Sequence, residues 1–306
     1  MAARTTPTAS HKATPRAIYR MAGDETEYLR VLRDVLARGE CRPDRTGTGT
    51  LSLFGAQMTF DISESVPALT TKFVPWKSCV RELLWFCRGD TDTCALSAEG
   101  VKIWDANSSR AFLDARGLHD LREGLIGPSY GWQWRRAGAK YGSDEPGVDQ
   151  LSEVVRLLRE DPYSRRIFMS SWAPPHLAEM ALPPCHVSCQ FYAGADGGLS
   201  CHMYQRSCDM FLGVPWNVLS YSVLTYIVAA KTGLRPRKLI VSCGDAHIYA
   251  DHVAQVREQL SRTPHAAPRL RLDPSVSDKA WSDITVDDFQ LLGYTHHPAI
   301  KAQMSA

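Results

Sequence analysis

The sequence predicts a single α+β domain, a mixed β-sheet covered by helices, and three observations lead there. Helical periodicity recurs at several places before Arg166, short alternating strand-like runs follow it, and an apolar stretch from Val218 to Ala230 lies between two of those runs. That stretch is broken by Ser220, Ser222 and Thr225 and is too short to span a bilayer, so it reads as a buried helix lying on the sheet. With 306 residues the chain can bury one large core or two smaller ones. No repeat, linker or low-complexity tract appears after residue 24, which favours one domain over 24–306.

The elements follow in order. Asp24 is a candidate N-cap with Glu27 three residues on; Tyr28, Leu29, Leu32 and Leu36 share one face, and Gly39 stops the helix. A second helix carries Val80, Leu83, Leu84 and Cys87, with the charged Glu82 beside the apolar stripe. A third runs from Asp149 to Glu160, turns Leu151, Val154, Val155 and Leu158 inward, and ends before Pro162. Strands are expected over Ile167–Trp172, His186–Tyr192 and Leu199–Arg206, the last two joined by the turn Gly194–Gly198. The covering helix spans Asn217–Lys231 and closes at Gly233; a strand over Lys238–Cys243 and an amphipathic helix over His247–Arg262 complete the fold.

Residues 1–23 are rich in Thr, Pro, Ala and Ser, with four basic residues and no acid, and read as a disordered tail. A transit peptide is the alternative, weakened by prolines that break an amphipathic helix. Lys+Arg 35 against Asp+Glu 33 gives a net charge of +2, so anions must be held by local arginine clusters and no nucleic acid is implied. Nine cysteines without a CxxC pair or a signal peptide argue against a secreted disulfide framework and for a reducing cytosol or nucleus.

Cys185 lies in Leu182-Pro183-Pro184-Cys185-His186, where two prolines fix the chain just ahead of a strand and present the thiol at its start. A cysteine attacks as thiolate, and Arg206 at the end of the following strand is placed to support one. Without further motifs the plainer reading is an inert buried cysteine. Zinc is a rival, since Cys185, His186, Cys189, Cys201 and His202 resemble a ligand set. If residues 185–189 are extended, however, the two cysteines stand ~13 Å apart at ~3.3 Å per residue, too far for one tetrahedral ion. Arginines occur where a phosphomonoester needs donors: Arg45 before Gly47 and Gly49, the pair Arg165–Arg166, and Arg206–Ser207.

Taken together, these segments resemble thymidylate synthases. Asp44 to Thr50 is similar to that family's phosphate loop, Glu82-Leu83-Leu84-Trp85-Phe86 and Ile103-Trp104-Asp105-Ala106-Asn107 to its glutamate and folate-stacking segments, and Leu182 to His186 to its nucleophile motif. Tyr204-Gln205-Arg206-Ser207 with Asp209, and Gly244-Asp245-Ala246-His247-Ile248-Tyr249, resemble its phosphate, pterin and ribose motifs. The resemblance runs from Asp24 to Ala306 and implies a homodimer that methylates dUMP with 5,10-methylenetetrahydrofolate as carbon donor and hydride source, without a metal.

Residue by residue, it implies Cys185 adding to uracil C6, Glu82 handling protons, and Tyr130, His186, Asp209 and Asn217 completing the catalytic group. Asn217 would read uracil, His247 and Tyr249 would hold the 3′-hydroxyl, and Arg45, Gln205, Arg206 and Ser207 would surround the phosphate, joined by Arg165 and Arg166 from the other subunit. Lys72, Ile103, Trp104, Asp209, Gly213 and Ala306 would face the folate. Departures from the family pattern, at Phe73, Pro75, Cys208, Phe211, Trp216 and Ala306, gather mostly on that folate side. A hydroxymethylase on the same fold and a silent binding relative are the alternatives; product analysis separates the first, and the intact set Cys185, Glu82, Asn217 and Arg206 argues against the second.

Overall fold

A six-stranded mixed sheet organises the protein, whose computed structural model describes residues 24–304. The tail assigned to residues 1–23 and the terminal Ala306 lie outside the described residues. In chain order the strands are β1 (Glu40–Arg42), β2 (Thr50–Asp61), β3 (Phe168–Ser170), β4 (His186–Ala193), β5 (Gly198–Asp209) and β6 (Arg235–Tyr249), arranged β1-β2-β6-β5-β4-β3. A small hairpin, β7 (Arg269–Leu272) with β8 (Phe289–Leu292), stands apart. The helices are α1 (Thr26–Arg38), α2 (Trp76–Arg88), α3 (Thr93–Ala98), α4 (Arg110–Ala115), α5 (Tyr130–Arg136), α6 (Gln150–Glu160), α7 (Gly213–Thr232) and α8 (Val253–Ser261).

Within the sheet β5 and β6 run parallel and every other pairing is antiparallel. Parallel neighbours need a long crossover, and α7 provides it. Its side chains are buried nearly all round because it lies between the sheet and α2, and Gly233 ends it in the left-handed conformation at φ +69°. With α1 it covers one sheet face, which supplies Met58, Phe60, Phe191, Cys201, Met203, Leu239 and Val241 to a continuous core running from Tyr28 to Phe289. This is one α+β domain. On the opposite face Tyr192, His202 and Tyr204 alternate outward and stay exposed.

Several expected boundaries moved for local reasons. Asp24 does accept the Thr26 N–H (2.9 Å), but Glu25 occupies the cap position and turns inward, where its carboxylate accepts the N–H and hydroxyl of both Thr70 and Thr71 at 2.7–3.0 Å. The covering helix starts at Gly213, four residues ahead of Asn217. Pro215 is tolerated there because first-turn N–H groups have no intrahelical partner. The expected helix start at His247 is wrong: β6 continues to Tyr249, since Ser52 and Thr50 of β2 pair with His247 and Tyr249, and α8 begins only at Val253 after a 3-10 turn.

Gly127 allows the loop that leads into α5. Its φ is +74°, and a Cβ there would lie 2.1 Å from the Glu179 carbonyl oxygen. Gly127→Ala is therefore expected to cost ~3 kcal/mol or more, from the left-handed backbone plus a backbone clash that no rotamer relieves. Urea titration checks this; an unchanged midpoint would mean that the two loops do not approach so closely.

Candidate active site

The start of β4 and the end of β5 build the centre of the site. His186 pairs with Gln205, and the Arg206 N–H donates to the Cys185 carbonyl at 2.9 Å, which sets the thiol-bearing residue directly beside Arg206. The guanidinium of Arg206 is itself tied back, Nε to Pro184 O and Nη2 to Pro183 O, both at 2.8 Å, so the two prolines and the arginine hold one another. Tyr130, the first residue of α5, accepts the Cys185 N–H at 2.7 Å. Burial pushes the Cys185 thiol up, opposed first by the Arg206 charge and then by Tyr130. The resting group is a thiol, and forming the thiolate is part of the work of reaction.

His186 stacks on Tyr130 at 4.1 Å and meets the Tyr221 hydroxyl through Nδ1 at 2.9 Å. Burial drives its pKa down to about 3, so it is a neutral hydrogen-bonding group at physiological pH. Phe86 bridges from this stack, 4.8 Å from Tyr130 and 5.9 Å from His186, toward Glu82 one turn earlier on α2.

Glu82 is 6% exposed. Its Oε1 accepts the Trp104 indole N–H at 2.7 Å, and its Oε2 accepts that of Trp216 at 2.5 Å. Burial raises its pKa to about 7 although both indoles favour the anion. A carboxyl balanced near neutrality can give or take a proton.

Asn217 lies in the first part of α7, and its Oδ1 accepts from Gln205 Nε2 at 3.0 Å. The same Nε2 donates to Ser207 O at 3.0 Å, while Gln205 Oε1 is buried without a protein partner. Asp209 closes the turn between β5 and α7, its Oδ1 accepting from the N–H groups of Phe211 (3.0 Å) and Leu212 (3.2 Å). Gly213 sits against it: a Cβ would meet Asp209 Cβ at 3.5 Å and Asn217 Oδ1 at 3.8 Å.

The parallel register places Ser207 beside Asp245 and Asp209 beside His247. His247 Nδ1 lies 3.1 Å from Asp245 Oδ1, with the Tyr249 ring 5.2 Å away. His247 and then Ser52 hold the Asp245 carboxyl below its usual range, and burial lifts the Tyr249 hydroxyl to about 12. The loop after β1 reaches this end of β6, where Ala250 N–H donates to Gly49 O at 2.9 Å. Asp44 shapes that loop by accepting from Thr46 N (2.8 Å) and Gly49 N (2.7 Å), leaving Arg45 exposed at its tip.

Arg165 and Arg166 are exposed just before β3, and among the described residues neither guanidinium enters a hydrogen bond or ion pair. Lys72 does not reach toward solvent: it is 5% exposed, its ammonium donates to Phe211 O and sits 3.6 Å over the Phe211 ring, and burial lowers its pKa to about 8. Ile103 is half-buried beside Trp104. Cys189 and Cys201 are core residues, and among the described residues no group of three His, Cys, Asp or Glu side chains is arranged to hold a metal. Trp216, which the sequence marks only as an unusual residue, is a direct partner of Glu82.

Fold and site together define an enzyme with a cysteine at a strand start, a neutral-range buried carboxyl, and a rim of hydrogen-bonding groups suited to a nucleotide. The family model for thymidylate synthase matches residues 26–306. Thymidylate synthase of Human herpesvirus 8 type P (isolate GK18) is 53% identical over 287 residues, covering 92% of this chain and 84% of that protein. Thymidylate synthases of Homo sapiens (48% over 286 residues; 92% and 90% covered) and Saccharomyces cerevisiae (46% over 297 residues; 92% and 97% covered) are similar to it as well. The chain belongs to the thymidylate synthase family, which methylates dUMP to dTMP with methylenetetrahydrofolate as cosubstrate. Among the described residues no helix is long and apolar enough to cross a membrane.

Proposed function

We propose that this chain carries out that methylation through a covalent adduct between Cys185 and uracil C6, in a family domain spanning 24–306 behind a tail of 23 residues. The observation that carries the reading is the Cys185–Arg206–Tyr130 cluster, in which backbone hydrogen bonds fix the nucleophile against a cation and a phenol. The thiol gives its proton to water, its sulfur bonds to C6, and the C5=C6 electron pair moves into an enolate with O4, making C5 nucleophilic. Glu82 moves protons at the O4 side through water, and Tyr130 serves the C5 proton; the neutral His186 keeps the ring's hydrogen-bond network in place. Arg45, Arg206 and Ser207 hold the phosphate, with Gln205 positioning Ser207 and Asn217; His247 and Tyr249 hold the ribose.

The donor set on the other side fits a reduced folate. Trp104 offers a flat face, and Asp209 offers a carboxylate oxygen for the pterin's donors, with Ile103 and Gly213 lining the approach. The folate, when bound, supplies the one-carbon unit and the hydride. Lys72 serves indirectly, by supporting Phe211 in the turn beside Asp209.

The open sheet face supports a homodimer, because Tyr192 and Tyr204 are 69% and 42% exposed on it. Arg165 and Arg166, beside the same edge of the sheet, then reach the partner's phosphate site. Nine cysteines without a CxxC pair fit a reducing cytosol or nucleus. Supplying dUMP and methylenetetrahydrofolate together and following dihydrofolate by absorbance tests the overall reaction; no dihydrofolate with both present would end it.

Asn217 sets the base. Gln205 donates to its Oδ1 and so fixes the orientation of the amide, which pairs with uracil N3–H and O4. Cytosine reverses that pattern and leaves desolvated groups unpaired, at ~1–3 kcal/mol each. In Asn217→Asp the carboxyl, when protonated, matches cytosine instead. The kcat/KM ratio of dUMP to dCMP should fall by about tenfold or more; a ratio equal to that of wild type would show that Asn217 does not read the base.

A further inference from the structure

The structure assigns Trp216 a positioning role: its indole N–H holds Glu82 Oε2 while Trp104 holds Oε1, and together the two rings fix the plane of this carboxyl and favour its ionised form. The inference rests on the proposed use of Glu82 in proton handling and adds to it a residue that no motif assigns. An indole N–H donates and cannot accept, so each ring stabilises the carboxylate more than the carboxylic acid. Both oxygens are held from different directions, Trp104 from the segment after α3 and Trp216 from α7, and a carboxylate gripped at both oxygens cannot rotate freely.

Among the described residues no other group near Glu82 supplies this support. On its own helix Cys79 is buried and pushed upward, hence neutral; on α5 Tyr130 is likewise pushed well above its ordinary value, and His186 behind it is neutral. Among the described residues Glu82 has no ion-pair partner, and the part of α7 that faces it carries no charge. Burial therefore acts against the anion with only the two indoles opposing it. Trp216 is itself held: the Cys79 thiol donates to its carbonyl at 3.3 Å and lies 3.1 Å from Ser220 Oγ, locking the start of α7 to α2. Since Asn217 is the next residue, the carboxyl and the amide are fixed by one helical turn.

The test removes the N–H and keeps the shape. Trp216→Phe loses the donor and some volume, whereas 3-benzothienylalanine at position 216 replaces the N–H by sulfur in a ring of nearly the same outline. Infrared titration of the free enzyme, with the carboxyl band assigned by its loss in Glu82→Gln, reads the proton affinity directly, and the pH profile of kcat reads its use. Both variants should move the Glu82 midpoint upward by roughly one pH unit, a tenfold change in proton affinity, with dUMP KM within about threefold of wild type. The kcat profile should move in parallel. A benzothienylalanine enzyme that titrates like wild type would overturn the role of Trp216. A midpoint that moves while the kcat profile stays fixed would leave Trp216 as the partner of Glu82 but remove Glu82 from the rate-determining proton steps, overturning its use in the reaction and not the contact.

Discussion

Changing Cys185 to serine is expected to lower kcat by ~10⁴-fold or more while dUMP binding stays within about threefold. The size follows from the site. The cysteine thiol is already pushed up by burial and depends on Arg206 and Tyr130 to form its thiolate. A serine hydroxyl is a far weaker acid, and no base stands beside it to take the proton, since His186 is buried, neutral and committed to Tyr221. The backbone hydrogen bonds at residue 185 do not involve the side chain, so the rim that binds the nucleotide should survive intact. Single-turnover kinetics with equilibrium dUMP binding measure both quantities, and a serine enzyme within about a hundredfold of wild type would rule out the covalent adduct.

The second large effect concerns assembly. In the proposed homodimer Arg165→Ala/Arg166→Ala should lose most activity, because two cations whose guanidinium groups have no partner among the described residues would leave the neighbour's phosphate site. Mixed with the inactive Cys185→Ser protein, it should regain activity. After random exchange half the dimers are hybrids, and in each hybrid one site has only native parts, so about a quarter of all sites should work. Exchange is followed independently by mass spectrometry of differently labelled subunits. Demonstrated exchange without recovered activity would show that each subunit builds its site alone.

Much of this architecture was legible in the sequence, and the parts that were not share a cause. Helices α1, α2 and α6 follow from apolar spacing and end signals, because each buries a regular face, and α7 follows from its apolar run, because it is buried nearly all round. Helices α3, α4 and α5 have six or seven residues, too few for periodicity to stand out. The helix expected from His247 begins only at Val253 because pairing with β2 outweighs local preference as far as Tyr249. Cys185, Asn217, Arg206 and His247, which ordered motifs single out, lie on β4, β5, β6 and α7 or at their ends, and the register of the strands sets Cys185 beside Arg206. The contacts of Glu25, Lys72 and Trp216 were not legible because their partners, Thr70 and Thr71, Phe211, and Glu82, lie far away in sequence. A charge that turns inward to a distant partner leaves no local pattern.

The fifteen-residue β6 has a consequence for how this protein can vary. It pairs with β2 on one side and β5 on the other, and side chains along it alternate between faces with a period of two. Residues such as Ile240 or Ser242 can be exchanged one at a time with local effect. Deleting a single residue between Cys243 and His247 would instead force a choice: either His247 and Tyr249 turn to the opposite face, or the core residues Leu239, Val241 and Cys243 do. The middle of the site can therefore drift by substitution but not by insertion or deletion, and changes of chain length are confined to the loops at the ends of the strands.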